Sequence, residues 1–135
     1  MPTPGRFTHT GELDPDQISE LCQLDPDGSA GFLVHMVADY EGTAAECLPA
    51  IRIALESADP YALEEAAHKL KGAASQVGAR AVQDASARLV ALARSGSMQG
   101  GGEVLAELES AQPRTSSALK SVIAEVERAD IPLAS

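Results

Sequence analysis

His68, Lys69 and Lys71 lie within four residues of one another and run directly into Gly72, inside the stretch EEAAHKLKGAASQVGA from Glu64 to Ala79. An imidazole can act as a nucleophile near neutral pH and can hold a transferable group on a ring nitrogen. Read as a helix at about 100° per residue, Leu63, Ala66, Leu70, Ala73, Ala74 and Val77 form one apolar arc, and His68 projects almost opposite its centre, towards water. Lys71, one turn on, and Lys69, next in sequence, set cationic side chains beside the ring. Gly72 costs a helix interior about 1 kcal/mol relative to alanine and leaves open space next to the imidazole. An anion carried on an exposed ring nitrogen suits this combination.

Other chemistries fit less well. Glu64 and Glu65 lie four and three residues before His68, a spacing used in bundle di-metal sites, but such sites need matching sets on facing helices directed into the core. No histidine stands in a recognisable elbow with a serine or cysteine, which argues against a nucleophilic hydrolase. No glycine-rich ATP motif is present, so the chain does not read as a self-contained kinase. A non-enzymatic adaptor bundle with His68 as a solvated surface residue is the main competing reading, and it leaves Gly72 and the local basic cluster unexplained.

The elements that must carry this stretch are legible from caps and periodicity. Asp14-Pro15 starts a first helix, with Gln17 closing a capping box and Leu13 against Ile18 as a hydrophobic staple; it carries Ile18, Leu21, Cys22 and Leu24 and ends at Asp25-Pro26-Asp27-Gly28. A second helix is predicted over about Ser29 to Ser57, carrying Phe32, Leu33, Met36, Tyr40, Ala44, Cys47, Leu48, Ile51 and Leu55, with a kink or break at Pro49. Asp59-Pro60 launches the third, which bears His68 and closes near Gly78. The fourth, about Arg80 to Arg94, presents Val82, Ala85, Leu89 and Leu92 and forms an antiparallel hairpin with the third. Ser95 to Gly102 reads as a flexible loop. A last helix from Glu103 to about Arg128 bends at Pro113.

These elements amount to an all-α chain: an antiparallel four-helix bundle with an additional short N-terminal helix. The domain spans residues 13–128, between a disordered tail over residues 1–12 and a frayed C-terminus over residues 129–135. At 135 residues one domain can bury a core without disulfides or metals. Cys22 and Cys47 fall in apolar stripes and read as reduced packing residues. His35 and His9 read as solvated or packing histidines. No signal-like or membrane-spanning apolar run occurs, which points to the cytoplasm. The net charge of −10 disfavours nucleic acid and anionic membranes as partners. From Ala66 to Gly102, however, the bases Lys69, Lys71, Arg80, Arg88 and Arg94 face only the acid Asp84, so the chain is locally basic where His68 sits.

The run His68, Leu70, Lys71, Gly72, Ala73, Ala74, Val77, Gly78 and Ala79 closely resembles the signature of histidine-containing phosphotransfer (HPt) domains, and the flanking helices extend the resemblance over residues 13–128. The resemblance implies that His68 is the phosphoacceptor of a two-component phosphorelay, taking a phosphoryl group from a receiver-domain aspartate and passing it to another. It implies partners that are receiver domains of a hybrid histidine kinase or a response regulator, which supply the acidic pocket and Mg²⁺, with no cofactor held by this chain. Lys71 then stabilises the phosphate oxygens, Lys69 lends weaker support, Gly72 admits the receiver loops, and Ser75 or Gln76 makes peripheral polar contacts. Val90 departs from the pattern, standing where relatives often carry a polar or acidic residue on the fourth helix. Glu64 or Glu65 is the candidate substitute for orienting the imidazole.

Overall fold

The computed structural model describes residues 12–23 and 31–134. Five helices make up the described chain, with no strand among them: α1 (Pro15–Gln23), α2 (Gly31–Glu56), α3 (Pro60–Gln76), α4 (Arg80–Ser95) and α5 (Gly101–Ala134). Residues 1–11 of the expected tail, with His9, and the expected turn at Asp25-Pro26-Asp27-Gly28 lie outside the described residues, as do Leu24 and the side chains of Leu21 and Cys22.

Helices α2 to α5 close into a ring in which α2 packs on α3, α3 on α4, α4 on α5 and α5 back on α2. Short connections at Ser57–Asp59 and Val77–Ala79 make successive helices antiparallel neighbours, which is the expected four-helix bundle. The core is aliphatic and alanine-rich: Leu33, Val37, Tyr40, Ala44, Cys47 and Ile51 from α2 meet Leu63, Ala67, Leu70 and Ala74 from α3, Val82, Leu89 and Val90 from α4, and Leu108, Leu119 and Val122 from α5. The small alanines let α3 approach its neighbours closely. Phe32, expected in the α2 stripe, is instead 44% exposed, while Val37 takes the inward position between Leu33 and Tyr40.

Three local expectations are revised. Pro49 does not break α2, which runs unbroken from Gly31 to Glu56. Pro49 and Ala45 are both exposed, so the carbonyl orphaned by the missing N–H faces water. Pro113, where a bend is expected, lies exposed within α5. The expected loop ends early, because Gly101 is drawn into the first turn of α5 against Leu55. A Cβ at Gly101 would meet Leu55 Cδ2 at 2.5 Å, so the close approach of α5 to α2 uses the bare glycine. The α5 backbone also stays helical to Ala134, past the end expected near Arg128.

Gln17 closes no capping box. Asp14 Oδ1 accepts from the backbone N–H of Asp16 at 3.1 Å and of Gln17 at 3.3 Å, whereas the Gln17 side-chain amide crosses to the α3 terminus and donates to the Ser75 carbonyl. Cross-helix ties complete the frame. The Tyr40 hydroxyl bonds the Gln112 amide oxygen, joining α2 to α5, and Arg88 forks onto Glu107 at 2.8 and 3.0 Å, joining α4 to α5. Burial pushes the Cys47 thiol up, with Lys69 pulling it the other way; this 3% exposed cysteine is a packing residue.

Candidate functional site

The site is the outer face of α3, and both ends of that helix are pinned. At its start Asp59 is the N-cap, accepting from the Ala62 N–H at 3.1 Å, with Pro60 at the first helical position. At its end Gly78, with φ +69°, turns the chain so that the Ala79 N–H reaches the Ala74 carbonyl at 2.9 Å. The Asp14 N–H donates to the Gly78 carbonyl at 2.8 Å, so the N-terminal segment clamps the α3–α4 turn.

The buried stripe of α3 is Leu63, Ala67, Leu70, Ala74 and Val77, while Ala66 and Ala73 are only partly buried. Ala67 therefore sits nearer the centre of the inward arc than the sequence pattern suggested. At about 100° per residue the arc centre moves by roughly 30°, leaving His68 about 140° from it, turned towards α4. His68 is exposed, as expected.

The cations flanking it are not equivalent. Lys69 leans the other way, towards α2, where its Nζ pairs with Glu46 Oε1 at 3.2 Å. Lys71 lies on the α4 side, half-buried, and has no ion-pair partner among the described residues. Gly72 is exposed, and a Cβ added there would meet nothing within 4 Å. Its missing side chain therefore serves no packing against the described residues. Ser75 Oγ donates to the Gly72 carbonyl at 2.8 Å, which fixes the hydroxyl on the helix surface; Gln76 is exposed at the last residue of α3.

Val90 is 4% exposed and belongs to the core, and it does not line the cleft beside His68. The α4 residue that does is Arg94. A cleft of about 310 Å³ is lined by Tyr61, Glu64, Glu65, His68 and Arg94. Glu64 is engaged there by Arg94, whose Nε donates to Glu64 Oε2 at 2.9 Å. In the sequence Arg94 stands out only as part of a basic region. Its signal was the hairpin register: Glu64 and Arg94 stand at nearly equal distances on either side of the Gly78 turn, so opposite charges meet across it. No group of three or more His, Cys, Asp or Glu side chains comes together to hold a metal among the described residues, which removes the support for the di-metal reading.

The face thus presents an exposed imidazole beside a bare glycine and a lysine with no ion-pair partner among the described residues, an arrangement that can receive an anion from outside. A family model for the Hpt domain matches residues 35–129. The chain belongs to the Hpt domain family. This Hpt domain also resembles in fold the crystal structure of histidine-containing phosphotransfer protein B (HptB) from Pseudomonas aeruginosa PAO1, with a TM-score of 0.69 and 23% identity over 87% of this chain and 96% of that one. A search of curated proteins gives no match. Membership makes the protein a phosphotransfer histidine carrier of two-component signalling, a class that works with receiver domains of kinases and response regulators. No described helix of the Hpt domain is long and apolar enough to cross a membrane.

Proposed function

We propose that this Hpt domain is a relay intermediate in the cytoplasm that takes a phosphoryl group from the aspartate of one receiver domain onto His68 and passes it to the aspartate of another. The observation that carries this reading is His68 on the outer face of α3, with Lys71 unpaired and the space over Gly72 open among the described residues. In the forward step Nε2 of the unprotonated imidazole attacks the phosphorus of the acyl phosphate. The N–P bond forms as the P–O bond to the aspartate breaks, the carboxylate leaves, and the ring keeps its proton on Nδ1. The second transfer is the reverse of this step on a new partner.

Phosphoryl transfer is dominated by positioning and by stabilisation of charge on the equatorial oxygens. Lys71 supplies a cation there, and Lys69, held by Glu46, lends weaker support. Gly72 admits the receiver's loops, while Ser75 and Gln76 border the contact. The receiver brings the acidic pocket and its Mg²⁺; this chain holds no cofactor of its own and does not label itself from ATP.

The test is transfer from a panel of phosphorylated receiver domains to the purified protein. Wild type should take up label that is acid-labile and alkali-stable, as a phosphoramidate is, and His68→Gln should take up none while keeping its helicity. Label retained in His68→Gln would overturn the assignment, and absence of transfer from every receiver would favour an adaptor role.

A further inference from the structure

Phosphorylating His68 creates an electrostatic conflict that the unmodified site does not have. The incoming phosphoryl group carries between one and two negative charges near pH 7, and it enters a cleft whose other lining includes the carboxylates of Glu64 and Glu65. Those lie four and three residues before His68, on the neighbouring turn of the same helix. On the side facing α2, Lys69 of α3 is paired with Glu46 of α2. From α4 the cleft receives one cation, Arg94.

Arg94 is held in a way that leaves it available. Its single bond to Glu64 uses Nε, so both terminal nitrogens of the guanidinium lack a hydrogen-bond partner among the described residues. The pair is solvent-exposed, with the Arg94 side chain 64% accessible; such pairs are weak and exchange readily. A guanidinium fork binds phosphoryl oxygens with two parallel N–H donors, which a lysine cannot do.

We infer that Arg94 is a phosphoryl clamp: when His68 is phosphorylated, its guanidinium leaves Glu64 for the phosphoryl oxygens, and Glu64 acts as the competing ligand that holds Arg94 back until then. This rests on His68 as the phosphoacceptor. Lys71 faces the incoming group from the same helix, whereas Arg94 reaches it from α4 and responds to its charge. The Glu64–Arg94 pair thereby sets how strongly the domain retains the group, and so how the phosphoryl partitions between His68 and a partner's aspartate.

Two substitutions that break the same ion pair separate the clamp from a structural role. Arg94→Ala removes the cation and Glu64→Gln frees it, so the two should act in opposite directions, and Arg94→Lys, which keeps the charge but loses the two-pronged donor, separates the clamp from a bystander charge. The protein is loaded with potassium phosphoramidate, in which the P–N bond to ammonia breaks, ammonia leaves and the imidazole N–P bond forms, so no receiver is needed. The ³¹P resonance of phospho-His68, identified by its absence in His68→Gln, is followed through the second ionisation of the phosphoryl group. Arg94→Ala should raise that pKa by about half a unit and Glu64→Gln should lower it by a similar amount. Arg94→Lys should recover only part of the shift, and full recovery would overturn the clamp in favour of a bystander charge.

In a second arm the equilibrium with a phosphorylated receiver is measured. The ratio of phosphohistidine to phosphoaspartate should fall about threefold in Arg94→Ala and rise in Glu64→Gln. Shifts of the same sign in the two variants, or no shift in either, overturn the clamp. If no receiver transfers to wild type, the relay reading fails, while the phosphoramidate arm still decides the clamp.

Discussion

Replacing Gly72 should make the protein more stable and less able to transfer phosphate, and the two effects can be measured apart. Gly72 lies within α3, four residues before its last, in ordinary helical geometry, and a Cβ there meets nothing within 4 Å. Gly72→Ala therefore adds helix propensity with no steric cost, a gain of about 0.5–1 kcal/mol. With an unfolding entropy of about 2.1 cal/mol/K per residue, a domain of this size gains roughly 2–4 °C in melting temperature. Gly72→Glu should gain less, because an acid near a helix C-terminus opposes the macrodipole. In the same variant, bulk and negative charge meet the acidic pocket of the receiver beside the phosphoryl group. Like-charge contacts of this kind weaken binding by at least about tenfold. Melting followed by circular dichroism reads the first effect, and titration with a receiver domain together with transfer kinetics reads the second. A drop in melting temperature for Gly72→Ala would mean that the fold itself requires the glycine. Unchanged receiver binding by Gly72→Glu would place the interface elsewhere and refute the reasoning from open space to docking.

Lys71→Ala should slow transfer from a receiver by about tenfold, since a single charged donor at a phosphoryl group is worth on the order of 1–2 kcal/mol, while the melting temperature barely moves because Lys71 has no partner to lose; an unmutated rate would remove Lys71 from the mechanism. Ser86 is fully buried on α4 and its hydroxyl has no hydrogen-bond partner among the described residues, so Ser86→Ala should be neutral or stabilising by up to about 1 kcal/mol in denaturant unfolding, and a clear loss of stability would reveal a bond to that hydroxyl. Burial, reinforced by the charge of Glu41, pushes the Tyr40 phenol well above its ordinary value. The unfolded chain therefore releases this proton first, so the stability tied to the neutral phenol is complete below about pH 10 and is lost progressively as the pH rises above it. Tyr40→Phe should flatten the alkaline limb of the stability curve, at a cost of about 1 kcal/mol at neutral pH for the lost bond to Gln112; an alkaline limb as steep as wild type would show that Tyr40 does not control it.

How much of this molecule could be read before folding depends on the range of the interactions involved. Helix starts are encoded within four residues, so Asp14-Pro15 and Asp59-Pro60 announced α1 and α3, and Asp59 does accept from Ala62 as a cap should. The Gln17 side chain obeyed no such local rule, because the Ser75 carbonyl at the end of α3 offered it a partner that exists only after packing. Pro49 removes a backbone donor and on local grounds should disrupt the helix, yet α2 runs unbroken across it, since Pro49 falls on an outward face and the packed stripes on either side hold the helix in phase.

The sequence by itself determined that the chain is helical, that His68 faces outward, and that Lys71 and Gly72 accompany it, because the period of 3.6 residues ties those positions to one helix surface whatever the neighbours do. Tertiary structure alone decided which side of α3 each charge serves. Lys69 is drawn to Glu46 on α2 and Glu64 to Arg94 on α4, since residues about 20–30 positions apart meet only once the axial rotation of each helix is set by its packing. The same rotation turned Val90 into the core, where it fills space beside Leu89 in the sequence of α4, and brought Arg94 to the cleft that His68 shares.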